Sequence, residues 1–251
     1  MAGPLKTEGI VLRSLRYGEA DRVLHLYTAD RGRIGAIAKG VRRQRSRFGG
    51  RLEPFFRLRL VLYQGRSDLL TVTSAETLAA HPRLREHGAA LDGAARACEA
   101  VARVFDDGEP HAGVYHLLAN ELALLDGDPA RAGRANALAF RLKLLLAAGF
   151  APQLAGCASC GEREHLVGFS GAAGGVVCAA CEAGSFALDQ EAHDFLVAAL
   201  GRPLAEAPEA SPRALAQAER AILETLEHHG AIRLRPVASR VAPAAPRAPA
   251  G

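Results

Sequence analysis

Between Arg57 and Tyr63 the chain reads RLRLVLY, with leucines on alternate positions and Arg57, Arg59 and Tyr63 on the others. A period of two gives an extended strand one apolar face and one polar face. The first eighty residues hold five strand-length runs: Gly9–Ser14, Asp21–Thr28, Gly32–Lys39, Phe55–Tyr63 and Leu69–Glu76. They are separated by YGEAD, ADRG, a basic stretch closed by Gly49-Gly50, and QGRSD, all rich in turn formers. Five short strands in so few residues predict a small antiparallel barrel. The OB-fold is the common five-stranded form, and an SH3-like barrel would produce a similar pattern.

After His81-Pro82 the apolar period lengthens to that of a helix. Ala94, Cys98, Val101, Ala102 and Phe105 form a stripe at spacings of three and four. Further helices are expected over 113–125, over 132–148 with Gly149 as its cap, over 189–200 and over 212–229. From Pro236 the chain reads PVASRVAPAAPRAPAG, without periodicity, and disorder is expected there. The expected class is α+β. An N-terminal five-stranded OB-fold barrel (1–80) precedes an α-helical domain (81–235) with a zinc-ribbon-like insert at 154–186, and a tail covers 236–251.

Charge divides along the same line. Residues 1–80 hold 15 Lys/Arg against 7 Asp/Glu, a net of +8, and the remainder holds 16 against 20, a net of −4. A basic first third on an acidic remainder points to a polyanion-binding module joined to something else. Three of the four tyrosines, Tyr17, Tyr27 and Tyr63, lie in that basic third. No uncharged apolar run approaches the ~18 residues of a membrane span, and MAGPLKTEGIVLRS lacks a signal peptide's apolar core. A cytoplasmic protein is expected, in which cysteines serve as metal ligands more often than as disulfides.

Cys157-Ala-Ser-Cys160 and Cys178-Ala-Ala-Cys181 are two CxxC pairs separated by seventeen residues. Each pair sets two thiolates on one tight turn, and a hairpin between them would join the turns into a tetrahedral sulfur site suited to structural Zn²⁺. The alternatives are a redox dithiol, which needs only one such pair at a helix start, and an iron–sulfur cluster or an empty site. Gly161 follows the first pair, where a knuckle turn calls for positive φ. His165 lies within the insert and is not needed as a ligand, and Cys98, on the helical stripe, reads as a core residue.

No phosphate-binding GxxxxGK[ST], no GxSxG, no HExxH and no dinucleotide fingerprint is present. His228-His229 suits a helix end, and Asp126-Gly127-Asp128-Pro129 suits a turn. No catalytic residue is expected. What stands out is IGAIAKGVRRQRSRFGG at Ile34–Gly50, where Lys39, Arg42, Arg43, Arg45 and Arg47 occur with no acidic residue and Arg51 follows. Guanidinium forks match phosphate oxygens, Arg33 shares a strand face with Lys39, and Phe48, Tyr63 or Tyr27 could stack on bases. A solvated charged loop is the plainer alternative.

The stretches TEGIVLRSLRYGEADRVLHLYTADRGRIGAIAKGVRRQRSRFGGRLEPF and LVLYQGRSDLLTVTSAET, with the helical middle and the CASCG…CAAC insert, resemble the bacterial RecO family of DNA repair and recombination mediators. The resemblance covers residues 5–235. It implies an N-terminal OB-fold, a helical domain and, in many members, a zinc-binding insert. It also implies a non-enzymatic activity: binding single-stranded and double-stranded DNA, annealing strands, and helping RecA load onto DNA coated by single-strand binding protein. The implied partners are RecR and the acidic C-terminal tail of single-strand binding protein. DNA contact would fall to Arg33, Lys39, Arg42, Arg43, Arg45, Arg47 and Arg51, and Arg141 and Lys143 are candidate rim residues of a pocket for that tail. A zinc-ribbon RNA-binding or transcription accessory factor is the competing reading.

Overall fold

The computed structural model describes residues 3–43, 45–65 and 69–237. Its first part is a closed barrel of β1 (Leu5–Tyr17), β2 (Asp21–Thr28), β3 (Gly32–Ala38), β4 (Arg57–Gln64) and β5 (Leu70–Ala79). The strand order is β1-β2-β3-β5-β4. Every contact is antiparallel except β3 against β5. This is the OB-like barrel that the alternation predicts. Leu58, Leu60 and Leu62 are fully buried beside Leu24, Leu26 and Ala36.

Two aromatics expected outside are inside. Phe48 is 1% exposed and joins the barrel core with Leu52, so the end of the basic stretch packs its apolar residues against the inner faces of the strands. Tyr27, fully buried, meets Phe105 with ring centroids 6.1 Å apart. Neither ring is available for base stacking.

The second part holds α1 (Gly88–Val104), α2 (Ala112–Gly127), α3 (Arg134–Ala147), α4 (Gln190–Gly201) and α5 (Pro212–Gly230). Asp189 accepts from the Ala192 N–H at 3.0 Å to start α4. Ser211 does the same for Ala214 at 3.2 Å, with Pro212 in the first turn of α5. Gly149 sits at φ +78° after α3, as a C-terminal cap requires.

The barrel and helices share one core: Ile10, Leu12, Tyr27 and Phe55 on the barrel's outside pack with Val101, Phe105, Val114 and Tyr115. Gly32, at φ +59°, lies so close to the Glu109 carbonyl that a Cβ would collide with it. Arg33 fastens the same junction, pairing with Asp107 at 2.5 Å and donating to the Ala102 carbonyl.

Arg141 is corrected by the fold as well. It is 5% exposed, 3.4 Å from the equally buried Glu219, and donates to the Arg235 carbonyl at 2.6 Å. A residue so placed is neither a pocket rim nor part of a solvated helix face. The chain also stays packed beyond residue 235. Arg96 donates to the Pro236 carbonyl at 2.9 Å, and Val237 is buried with its N–H donating to Glu219. The rest of the expected tail, 238–251, lies outside the described residues.

Candidate nucleic-acid interface and metal centre

The loop after β3 is a succession of tight turns. Arg43, Ser46, Gly49 and Arg51 donate their N–H groups to carbonyls three residues back, and Arg42 N–H reaches the Ala20 carbonyl at 2.9 Å. Asp21 accepts from the Gly40 N–H at 2.8 Å. These bonds hold the loop against the β1–β2 turn while its side chains stand outward. Lys39, Arg42, Arg43, Arg45, Arg47 and Arg51 are all exposed. None has an ion-pair partner among the described residues. Arg47 rests over the Phe48 ring at 4.8 Å, and Arg51 donates to the Arg47 carbonyl at 3.2 Å.

Some other barrel arginines are neutralised. Arg57 and Arg59 both pair with Glu8 at 3.4 Å, and Arg59 also pairs with Glu76 at 2.9 Å. Arg22 pairs with Glu53 at 3.1 Å. Among the described residues Lys6, Arg13 and Arg16 are unpaired elsewhere on the barrel, while six unpaired cations stand together on the loop. Arg33 stands apart from that group: it points into the junction with the helices, bound to Asp107.

Strand register places an apolar row beside this loop. Leu15 faces Val23, Val23 faces Ile37, Ile37 faces Thr71, and Thr71 faces Tyr63. The row crosses all five strands on the barrel's outer surface; its first four members are half-buried and Tyr63 is 41% exposed. Tyr17, 58% exposed, lies two residues beyond Leu15. On the other side of the row, Arg13 faces His25, and both are exposed. The alternation that assigns Leu58 to the core also puts Leu15, Arg13, Val23 and His25 on one outer face, but only the register joins them.

The cysteine pairs converge. The Sγ atoms of Cys157, Cys160, Cys178 and Cys181 all lie within 4.8 Å of one another, and Cys160 to Cys178 is 3.7 Å. Metal–sulfur bonds of ~2.3 Å in a tetrahedron put sulfurs about 3.8 Å apart, so the donor set fits a zinc-sized ion. Gly161 has the positive φ, +82°, that the first knuckle needs, and its N–H donates to the Cys157 carbonyl at 2.8 Å. A hairpin of β6 (Leu166–Ser170) and β7 (Gly175–Cys178), extended by β8 (Phe186–Ala187), joins the knuckles.

Backbone N–H groups of Cys178, and then of Cys160 and Ser159, hold the Cys157 thiol down to about 6, and the neighbouring thiols push Cys181 up to about 12. Four thiolates this close need a cation before all can ionise. His165 is not in the cluster. Cys98 is buried, and burial pushes its thiol up to about 12, as suits a core residue. Phe169, Val176 and Phe186 bind the insert to the main helical core.

Two family models cover nearly the whole chain. Recombination protein O N terminal matches residues 1–81, and recombination protein O C terminal matches residues 85–236. A protein named DNA repair protein RecO from Rubrobacter xylanophilus is 42% identical over 229 residues, covering 87% of this chain and 88% of its own. Its namesake from Anaeromyxobacter sp. (strain K) is 38% identical over 239 residues, with coverages of 90% and 91%. One from Bifidobacterium adolescentis is 41% identical over 181 residues, covering 69% and 72%. Among the described residues, no helix is long and apolar enough to cross a membrane.

Proposed function

The chain belongs to the RecO family, with a role in DNA repair and recombination, and from that premise we propose a non-enzymatic mediator that binds and anneals DNA strands and assists RecA loading onto DNA coated by single-strand binding protein. The observation that carries this reading is the exposed arginine loop, without counter-ions among the described residues, set beside an apolar, tyrosine-ended row. Loop guanidiniums neutralise phosphates while bases lie against the row and Tyr63. Annealing needs no nucleotide hydrolysis, because base pairing supplies the free energy and the protein supplies charge neutralisation. Double-stranded DNA is held by its phosphates alone.

Lys39, Arg42, Arg43 and Arg45 are the principal contacts, with Arg47 and Arg51 at the loop's end. Arg33 contacts DNA only where a strand reaches the junction with the helices. A single Zn²⁺ on Cys157, Cys160, Cys178 and Cys181 has four protein ligands and no open position, so its role is to hold the insert together. The protein works in the cytoplasm on the nucleoid, with RecR as a partner.

The acidic tail of single-strand binding protein fits a groove of about 360 Å³ where Leu117, Leu124 and Leu204 form an apolar floor and Lys143 a basic edge. Lys143 also donates to the Leu200 carbonyl at 3.0 Å, which fixes the ammonium at that edge.

Replacing Arg42, Arg43, Arg45 and Arg47 together with Ala tests the reading. The slope of log K against log salt for single-stranded DNA should fall by ~0.7 per lost phosphate contact. An unchanged slope would mean that the loop is only solvated.

A further inference from the structure

A cleft of about 530 Å³ lies between the barrel and α1, and four arginines line it: Arg13 from β1, Arg33 from β3, Arg103 from α1, and Arg235. His25 from β2 lines it too, and Glu99 is its acid. Glu99 lies 3.1 Å from Arg103 and 4.0 Å from Arg235, so one carboxylate is shared by two guanidiniums. Asp107 neutralises Arg33. Arg13 and His25 have no ion-pair partner among the described residues. Four guanidiniums against two carboxylates leave two positive charges before His25 is counted. A cleft with low-dielectric walls and a net excess of positive charge focuses its field on an incoming anion.

Register fixes where this cleft lies relative to the loop. Arg13 and His25 face each other, and two residues further along both strands come Leu15 and Val23, the start of the apolar row. Two residues beyond Ile37 on β3 comes Lys39, at the start of the arginine loop. At about 3.3 Å per residue, the basic edges are about 13 Å apart, with the apolar row midway between them. The loop edge belongs to the barrel alone. The cleft edge exists only because the helical domain contributes Arg103 and Arg235.

We infer that this cleft is a second phosphodiester-binding site for single-stranded nucleic acid, built jointly by the two domains. The inference rests on the function proposed above. Bases lie on the row from Leu15 to Tyr63, and the backbone is held on two sides, by the loop and by the cleft. Two held edges keep a strand extended with its bases splayed, the form in which a complementary strand can be tested. The domain junction, fastened by Arg33, Gly32 and the Tyr27–Phe105 contact, keeps the edges at fixed separation.

The test compares three variants for binding a labelled oligothymidylate long enough to cross the barrel face, over a salt series. Arg13→Ala with Arg235→Ala removes two exposed side chains outside the core. The salt slope should fall by ~1.4, which at 0.1 M salt corresponds to roughly 25-fold weaker binding. Glu99→Gln frees Arg103 and Arg235 and should tighten binding, which a misfolded protein could not do. The loop variant Arg42→Ala, Arg43→Ala and Arg45→Ala is the control. If it loses its slope while the Arg13/Arg235 and Glu99 variants behave as the parent, the cleft is idle and the loop reading stands. If loop and cleft variants both keep the parent slope, both readings fall.

Discussion

Replacing Glu121 with Gln should make this protein more stable at neutral pH, although Glu121 lies in the core of the helical domain. Its carboxyl group is 2% exposed between α2 and α3, where Asn136 Nδ2 donates to Oε1 at 2.7 Å. Burial pushes it from 4.5 up to about 8, against a smaller lowering effect of the Asn136 hydrogen bond. Two acceptor oxygens of this pair, Glu121 Oε2 and Asn136 Oδ1, have no hydrogen-bond donor among the described residues. A proton on Oε2 supplies one, so the folded state favours the neutral acid. The unfolded chain releases that proton above 4.5. Stability from this group is therefore complete below 4.5 and drains away as pH rises towards 8.

At pH 7 the loss amounts to about 3 kcal/mol, from 1.36 kcal/mol per pKa unit over the interval between 4.5 and 7. Gln cannot ionise, accepts from Asn136 as Glu does, and brings an N–H for the Asn136 oxygen. Urea unfolding of parent and Glu121→Gln should show a gain of about 3 kcal/mol at pH 7 that shrinks to nothing near pH 4.5. For a chain of this size that is a rise of about 6–12 °C in Tm. A variant less stable than the parent at pH 7, or a parent whose stability is flat between pH 5 and 8, would refute the reasoning.

Cys157→Ala should lose the bound zinc and unfold the insert and adjoining helices earlier on heating; a variant that keeps one zinc per chain by elemental analysis would contradict the four-thiolate site. Glu219→Ala leaves the buried Arg141 uncompensated and breaks the Arg134 pair at 2.6 Å, so urea unfolding should show a loss of about 3–5 kcal/mol. Gly32→Ala forces a Cβ into the Glu109 carbonyl at φ +59° and should cost at least about 2 kcal/mol in the same assay, loosening the domain junction.

The sequence revealed periodic features well and long-range ones poorly. Alternation gave the strands, β4 most clearly, because a barrel strand has one dry face whatever its neighbours are. The CxxC spacing gave the cysteine cluster, because a knuckle is a local turn. Phe48 misleads because its burial depends on packing in one cluster with Val11, Leu24, Leu60 and Val72, which come from four different strands. Arg141 was misleading because its partner, Glu219, lies on another helix seventy-eight residues away. The cleft of Arg13, Arg103 and Arg235 has no local signature, since strand register and domain packing together create it. Arg33, by contrast, was legible as a basic strand residue but not as the pin that joins barrel to helices.

The most direct measurement is annealing of complementary single strands, followed by fluorescence without nucleotide, for the parent and the loop variant Arg42→Ala, Arg43→Ala and Arg45→Ala. The parent should speed duplex formation, added salt should suppress the effect, and the loop variant should lose most of it. A parent that leaves the annealing rate unchanged, or a loop variant as fast as the parent, would contradict that expectation.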